Sequence, residues 1–131
     1  MLLLGIIGHP LEQSLSPVLH NWACAQGRIS ASYYCWPIED HQLASFMNAV
    51  RTLPIHGVSV TIPHKEKVMD LVDKLTPRAQ DIGAVNTLFW QDEQLWGDNT
   101  DIEGFMAPLK ADNHTPNTAL ILGAGGAGRA A

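Results

Sequence analysis

Seven apolar or glycine residues in a row, Leu2–Gly8 (LLLGIIG), open the chain and limit its fold more than any other stretch. A strand with water on one face alternates apolar and polar side chains, whereas an unbroken apolar run needs cover on both faces. Helices on either side of a parallel sheet give that cover. The run is too short to span a bilayer, carries no basic leader and is interrupted by Gly5, Gly8 and Pro10. It therefore reads as a buried first strand, not as a membrane or export segment.

The elements that follow alternate as such a fold requires. Ser16-Pro17 is a helix start, with Ser16 as N-cap and Pro17 where a missing N–H does no harm; Val18, Leu19, Trp22 and Ala23 follow at helical spacing up to Gly27. Ala31–Ile38 (ASYYCWPI) is strand-like, and Leu43, Phe46, Met47 and Val50 mark one face of a second helix. His56–Ile62 is a third strand, and Val68, Leu71, Val72 and Leu75 predict a helix after it. Thr76-Pro77 repeats the helix start. Ala84–Trp90 and Gln94–Gly97 form a hairpin turning at Asp92-Glu93. Thr100–Glu103 has the form of a capping box, opening a helix with Ile102, Phe105, Met106 and Leu109 inward and Pro108 set to kink or shorten it. Lys110–Asn117 reads as a linker, and Thr118–Leu122 as a new buried strand. The expected fold is α/β, a mostly parallel mixed sheet flanked by helices with one antiparallel insertion.

A chain of 131 residues has room for one domain with a real core, and 46% hydrophobic with 16% charged residues is a globular composition. A net charge of −5 without any Lys/Arg run argues against nucleic acid or an anionic membrane as partner. The expected partner is a small molecule, and an anionic one needs a local cationic or amide-lined site. Cys24 and Cys35 are expected as reduced thiols of a cytoplasmic protein. Six histidines without metal-ligand spacing predict no metal site.

The polar residues that could do chemistry sit at element ends, and each has an ordinary explanation beside the functional one. Ser16 can cap a helix while Ser14 is solvated; equally, two hydroxyls at a helix entrance suit a carboxylate. Thr61 and Lys65 follow a strand end, where ligands collect in open α/β sheets, yet a Lys in a first helical turn is commonly a solvated cation, and His64 reads the same way. Asn86 in an apolar strand is either on an exposed face or faces a ligand. Asp101 in a first helical turn is favoured by the helix dipole alone. Taken together, the six residues could converge on one crevice, giving hydrogen bonders for a polyhydroxylated acid and a Lys–Asp pair for proton transfer. Finally, Gly123-Ala124-Gly125-Gly126-Ala127-Gly128 is a G-x-G-x-x-G loop directly after an expected strand. It is either a plain glycine turn or a loop that lets backbone approach a pyrophosphate.

Four ordered stretches resemble the shikimate dehydrogenase family. They are Gly8-His9-Pro10-Leu11-Glu12-Gln13-Ser14-Leu15-Ser16-Pro17-Val18-Leu19-His20-Asn21, Gly57-Val58-Ser59-Val60-Thr61-Ile62-Pro63-His64-Lys65, Gly83-Ala84-Val85-Asn86-Thr87 and Gly97-Asp98-Asn99-Thr100-Asp101-Ile102-Glu103-Gly104. Two positions depart from the family pattern: Gln13 stands where it has His, and Ser59 where it has Asn. The resemblance implies a substrate-binding domain over 1–110. Over 111–131 it implies a linker and the first strand and glycine loop of a Rossmann domain cut short, after which the family's chain returns to complete the first domain.

By the same resemblance, Ser14 and Ser16 hold the carboxylate of shikimate, and Thr61, Lys65, Asn86 and Asp101 its ring hydroxyls. Lys65 and Asp101 are then the catalytic pair, and Gly123, Ala124, Gly125, Gly126 and Ala127 bind NADP, with NAD not excluded. The implied reaction is reversible reduction of 3-dehydroshikimate on the route to chorismate, with this chain an inactive fragment. The alternatives are a quinate/shikimate dehydrogenase using NAD and a non-catalytic shikimate-binding module. A second copy, as a homodimer, is one place for the 118–122 strand to find a partner.

Overall fold

The computed structural model describes residues 1–112, 118 and 120–130. Six strands form one sheet in the order β2-β1-β3-β5-β6-β4. They are β1 (Leu2–Gly8), β2 (Ala31–Pro37), β3 (Ile55–Val60), β4 (Lys74–Leu75), β5 (Thr87–Gln91) and β6 (Gln94–Asp98). β1 lies parallel to both β2 and β3, and β4 parallel to β6, while β5 runs antiparallel to both β3 and β6. The helices are α1 (Ser16–Gln26), α2 (Leu43–Thr52), α3 (Pro77–Ile82), α4 (Asp101–Ala111) and α5 (Gly126–Ala130). The mixed, mostly parallel α/β sheet expected from sequence is therefore present.

β1 is covered on both faces, as its composition demands. Ile7 belongs to a core with Val58, Val60, Leu88 and Leu95 from neighbouring strands and Leu43, Met47 and Val50 from α2. Ile6 faces the other way and packs with Leu11 and Tyr33. The chain leaves β1 towards β2 and leaves β3 towards β5, so their carboxyl ends flank a crevice at a point where the strand order reverses. Such points are where open α/β sheets bind ligands.

The hairpin turns where expected, with Asp92 and Glu93 both at positive φ (51° and 61°), as a two-residue turn matched to strand twist requires. Thr76 caps α3, accepting from the Ala79 N–H. Other boundaries differ. The residues expected as a helix after β3 form a 3₁₀ turn over Lys67–Leu71 and then the short strand β4. Asp73 and Thr76 donate backbone hydrogen bonds to Leu95 and Gly97 of β6, so sheet pairing overrides the helical spacing. Val68 still reaches the core, fully buried.

Ser16 is not the N-cap of α1. That position is Leu15, and the Ser16 N–H instead donates to the Ser14 hydroxyl. Thr100 is the N-cap of α4 without a side-chain cap bond, because its hydroxyl is engaged with Asn86, and Glu103 pairs with Arg78 rather than closing a capping box. α4 runs through Pro108 to Ala111; the carbonyl this proline leaves unpaired is that of Gly104, in an exposed stretch open to water. Neither α1 nor α4 buries a side chain fully. Phe105, expected inward, is more than half exposed, as are Val18, Leu19 and Trp22 of α1.

Lys110 and Ala111, expected as linker, close α4, and Asn113–Asn117 lie outside the described residues. Thr118 and 120–122, expected as a strand, carry no strand pairing, and Leu120 and Leu122 are exposed; Ala119 lies outside the described residues. Among the described residues no helix is long and apolar enough to cross a membrane, and no cluster of metal-ligating side chains occurs.

Candidate active site

The crevice at the ends of β1 and β3 opens into a cleft of about 610 Å³, within the usual range for small-molecule sites. Its walls include Ser14 and Ser16 from the start of α1, Thr61 from the turn after β3, and Ile6, Glu12, Gln13 and Ile62. Ser16, released from capping, lines this cleft with its neighbour Ser14. Gln13 stands in the same wall, so the departure from the family's His reaches the site. Ser59, the second departure, accepts a 2.7 Å hydrogen bond from the Tyr33 hydroxyl. Burial pushes that phenol's pKa up, with the Ser59 and Ser16 hydroxyls pulling against it.

Thr61 and Ile62 form a ridge shared with a second cleft, of about 430 Å³, lined also by Lys65, Glu66, Gly125, Gly126 and Ala127. The Lys65 Nζ donates to Asp101 Oδ2 at 2.6 Å, and both side chains keep partial access to solvent. Asn86, one residue before β5, donates from Nδ2 to Asp101 Oδ1 at 2.7 Å and to the Thr100 hydroxyl at 3.0 Å. Its Oδ1 accepts from the Thr87 hydroxyl and the Thr100 N–H. The amide of Asn86 is thus fully engaged within the protein and holds the carboxylate of Asp101. Lys65, Asn86 and Asp101 meet one another, and of these Lys65 lines the second cleft; Ser14 and Ser16 line the first, and Thr61 touches both.

The glycine loop packs against Lys65 and Ala84. A Cβ at Gly126 would stand 3.0 Å from the Ala84 Cβ and 3.6 Å from Lys65 Cδ, and one at Gly128 would stand 2.6 Å from the Gly123 carbonyl oxygen. The loop is held down by Arg129, which donates to the Gly83 carbonyl and pairs with Glu66.

The family model for the shikimate dehydrogenase substrate binding domain matches residues 6–88. The chain belongs to the shikimate dehydrogenase family. It is 54% identical over 129 residues to the shikimate dehydrogenase (NADP(+)) of Maridesulfovibrio salexigens, covering 98% of this chain and 47% of that protein. Its fold matches a shikimate dehydrogenase of Peptoclostridium difficile with a TM-score of 0.93 at 36% identity, over 99% of this chain and 49% of that one. It also matches shikimate 5-dehydrogenase of Thermus thermophilus, solved with NADP(H) and shikimate, with a TM-score of 0.89 at 42% identity, over 99% of this chain and 50% of that one. The chain therefore spans about half the length of the relatives it matches.

Several residues around this candidate site were given no functional role from sequence. His64, read as solvated, is fully buried, and its Nε2 donates to the Ile38 carbonyl at 2.5 Å. Asn99 is buried behind Asp101. Asp98 takes hydrogen bonds from Arg78, from the Thr76 hydroxyl and from the Asn99 N–H. For Asp98 and Asn99 the signal available was the stretch Gly97-Asp98-Asn99-Thr100-Asp101, of which only the last residue was given a place in the site.

The Arg78 hydrogen bond is the largest cause holding the Asp98 carboxyl down to about 2, against the upward push of burial. A free aspartate lies near ~3.9. Because the folded value is the lower, this carboxylate stabilises the fold fully above about pH 4 and ceases to do so as pH falls towards 2. The midpoint of urea unfolding should therefore fall between pH 5 and pH 2 more steeply in the wild-type chain than in Asp98→Asn. Parallel curves would remove Asp98 from the acid response.

Proposed function

We propose that residues 1–110 form the substrate-binding domain of an NADP-dependent shikimate dehydrogenase, and residues 111–131 its linker and the start of its cofactor-binding domain. The enzyme reversibly reduces 3-dehydroshikimate to shikimate. The observation that carries this reading is the 2.6 Å Lys65–Asp101 pair beside a ridge, Thr61–Ile62, common to two clefts. One cleft offers serine hydroxyls for a carboxylate, and the other borders the glycine loop. Relatives named shikimate dehydrogenase (NADP(+)), and one solved with NADP(H) and shikimate, supply the substrate and the cofactor.

Ser14 and Ser16 bind the carboxylate through their hydroxyl protons, the Ser14 oxygen being already oriented by the Ser16 N–H. Thr61, Lys65 and Asp101 hold the ring hydroxyls, and Asn86 joins them by exchanging its bond to Thr100. Reduction of the ketone builds negative charge on its oxygen. An ammonium within hydrogen-bond reach stabilises that charge and delivers the proton; in the reverse direction the amine takes it back. Asp101 keeps the Lys65 nitrogen aimed.

The residues of the glycine loop fit a dinucleotide. A Cβ at Gly125 would meet nothing within 4 Å, so that backbone is open to the cleft, while Gly126 sits close against Ala84 and Lys65. Gly123, Ala124, Gly125, Gly126 and Ala127 would hold NADP, which when bound supplies the hydride. Free Cys24 and Cys35 suit a cytoplasmic location.

Calorimetric titration of the 131-residue chain with shikimate tests the reading. Saturable one-to-one binding, weakened at least tenfold in Ser14→Ala/Ser16→Ala, is expected. Absence of saturable heat at millimolar shikimate would overturn it.

A further inference from the structure

Lys65 and Asp101 lie 36 residues apart in sequence, on different elements, yet their charged atoms meet within 2.6 Å. Residues 84–86 register them. The Val85 N–H donates to the Lys65 carbonyl at 2.7 Å, fixing the backbone that carries the amine. The Asn86 side chain holds Asp101 Oδ1. The Ala84 carbonyl accepts from Asn99 Nδ2 at 3.0 Å, and Asn99 Oδ1 accepts from the Asp101 N–H at 2.9 Å.

Asn99 is fully buried and touches neither cleft wall. Both ends of its amide are used, one on the loop that holds Lys65 and the other on the backbone of Asp101. A buried amide that satisfies donor and acceptor at once is costly to replace, because either loss strands a polar partner away from water. Its own N–H donates to Asp98 Oδ1, and Arg78 and the Thr76 hydroxyl bind that carboxylate. The backbone of Asn99 is therefore held as well as its side chain.

We infer that Asn99 is a positioning residue: it fixes Asp101 at the entry of α4 in register with Ala84–Asn86, and so sets where the Lys65 nitrogen is held. The inference rests on reading Lys65–Asp101 as the working pair. Its test reads the pair directly, without turnover or substrate, so it can fail independently of that reading.

The measurement is the rate at which N-hydroxysuccinimide acetate acetylates each lysine of the 131-residue chain, followed by mass spectrometry. Lys67, Lys74 and Lys110 serve as internal references. Asn99→Ala removes both bonds, and Lys65 should acetylate at least fivefold faster while the reference lysines change less than twofold. Asn99→Asp keeps an oxygen for the Asp101 N–H but loses the donor to the Ala84 carbonyl, and should leave Lys65 between the wild-type and Asn99→Ala rates. An unchanged Lys65 rate in a folded Asn99→Ala chain overturns the inference, as does an Asn99→Asp rate as fast as that of Asn99→Ala. If all four lysines accelerate together in Asn99→Ala, Asn99→Ser decides, since its hydroxyl fills part of the space but cannot span both partners. Selective acceleration of Lys65 in that variant supports the inference, and uniform rates overturn it.

Discussion

Lys65→Met, placed in a complete enzyme carrying these 131 residues, is expected to lower kcat by about 10²–10⁴-fold while KM changes less than tenfold, measured from NADPH oxidation with 3-dehydroshikimate. Methionine keeps the length and apolar stem of the side chain and removes only the amine. The effect is expected on kcat because, in the proposed mechanism, the amine's main interaction is with charge developing on the ketone oxygen, which is stronger in the transition state than in the bound substrate. Ser14, Ser16 and Thr61 remain to bind the acid. The fold should survive, since Asp101 keeps its hydrogen bond from Asn86 and is partly open to water. A kcat within tenfold of wild type would remove Lys65 from the chemistry, and a rise in KM alone would make it a binding residue only.

Leu88→Ala carries the second large effect, on stability. Leu88 is 1% exposed in β5, where it stands opposite Val58 of β3 and Gly97 of β6. A Cβ at Gly97 would already stand 2.8 Å from a Val85 methyl and 2.9 Å from one of Leu75, so the neighbourhood is tightly filled and collapses poorly into a void. Truncation of a buried leucine in such a place costs about 3 kcal/mol, from lost burial plus the residual cavity. For a chain of this size that is a fall in Tm of roughly 10–15 °C, measured by calorimetry. A loss below about 1 kcal/mol would mean that this core repacks freely. β5 starts directly after Asn86, so the same core seats the loop that registers Lys65 and Asp101.

What was legible in the sequence is what local physics decides. The apolar run of β1 and the Asp92-Glu93 turn need no knowledge of distant residues to be read, and Thr76-Pro77 marks its helix equally well. The candidate site residues were picked out by their place at element ends and by motif order, and of these Lys65, Asn86 and Asp101 do meet. Most of the misreadings share a cause: a side chain or a backbone group found a distant partner. Thr100 left its cap for Asn86, and Glu103 left the capping box for Arg78. The Val68–Leu75 spacing suits a helix, yet the backbone around Asp73 pairs with β6. Asn99 is hidden for the same reason, since its worth depends on Ala84, fifteen residues earlier. α1 was read correctly as a helix; its periodicity gives the apolar face, and nothing among the described residues covers Val18, Leu19 or Trp22.

The central claim is that two serine hydroxyls and the Lys65–Asp101 pair serve one ligand from opposite ends of the Thr61 ridge. A crystal structure of this chain soaked with shikimate tests it most directly. The account predicts the carboxylate on the Ser14 and Ser16 hydroxyls, with a ring hydroxyl about 3 Å from the Lys65 nitrogen and in reach of Asp101. Shikimate bound elsewhere, or seated in the cleft with its ring hydroxyls turned away from Lys65, would contradict it.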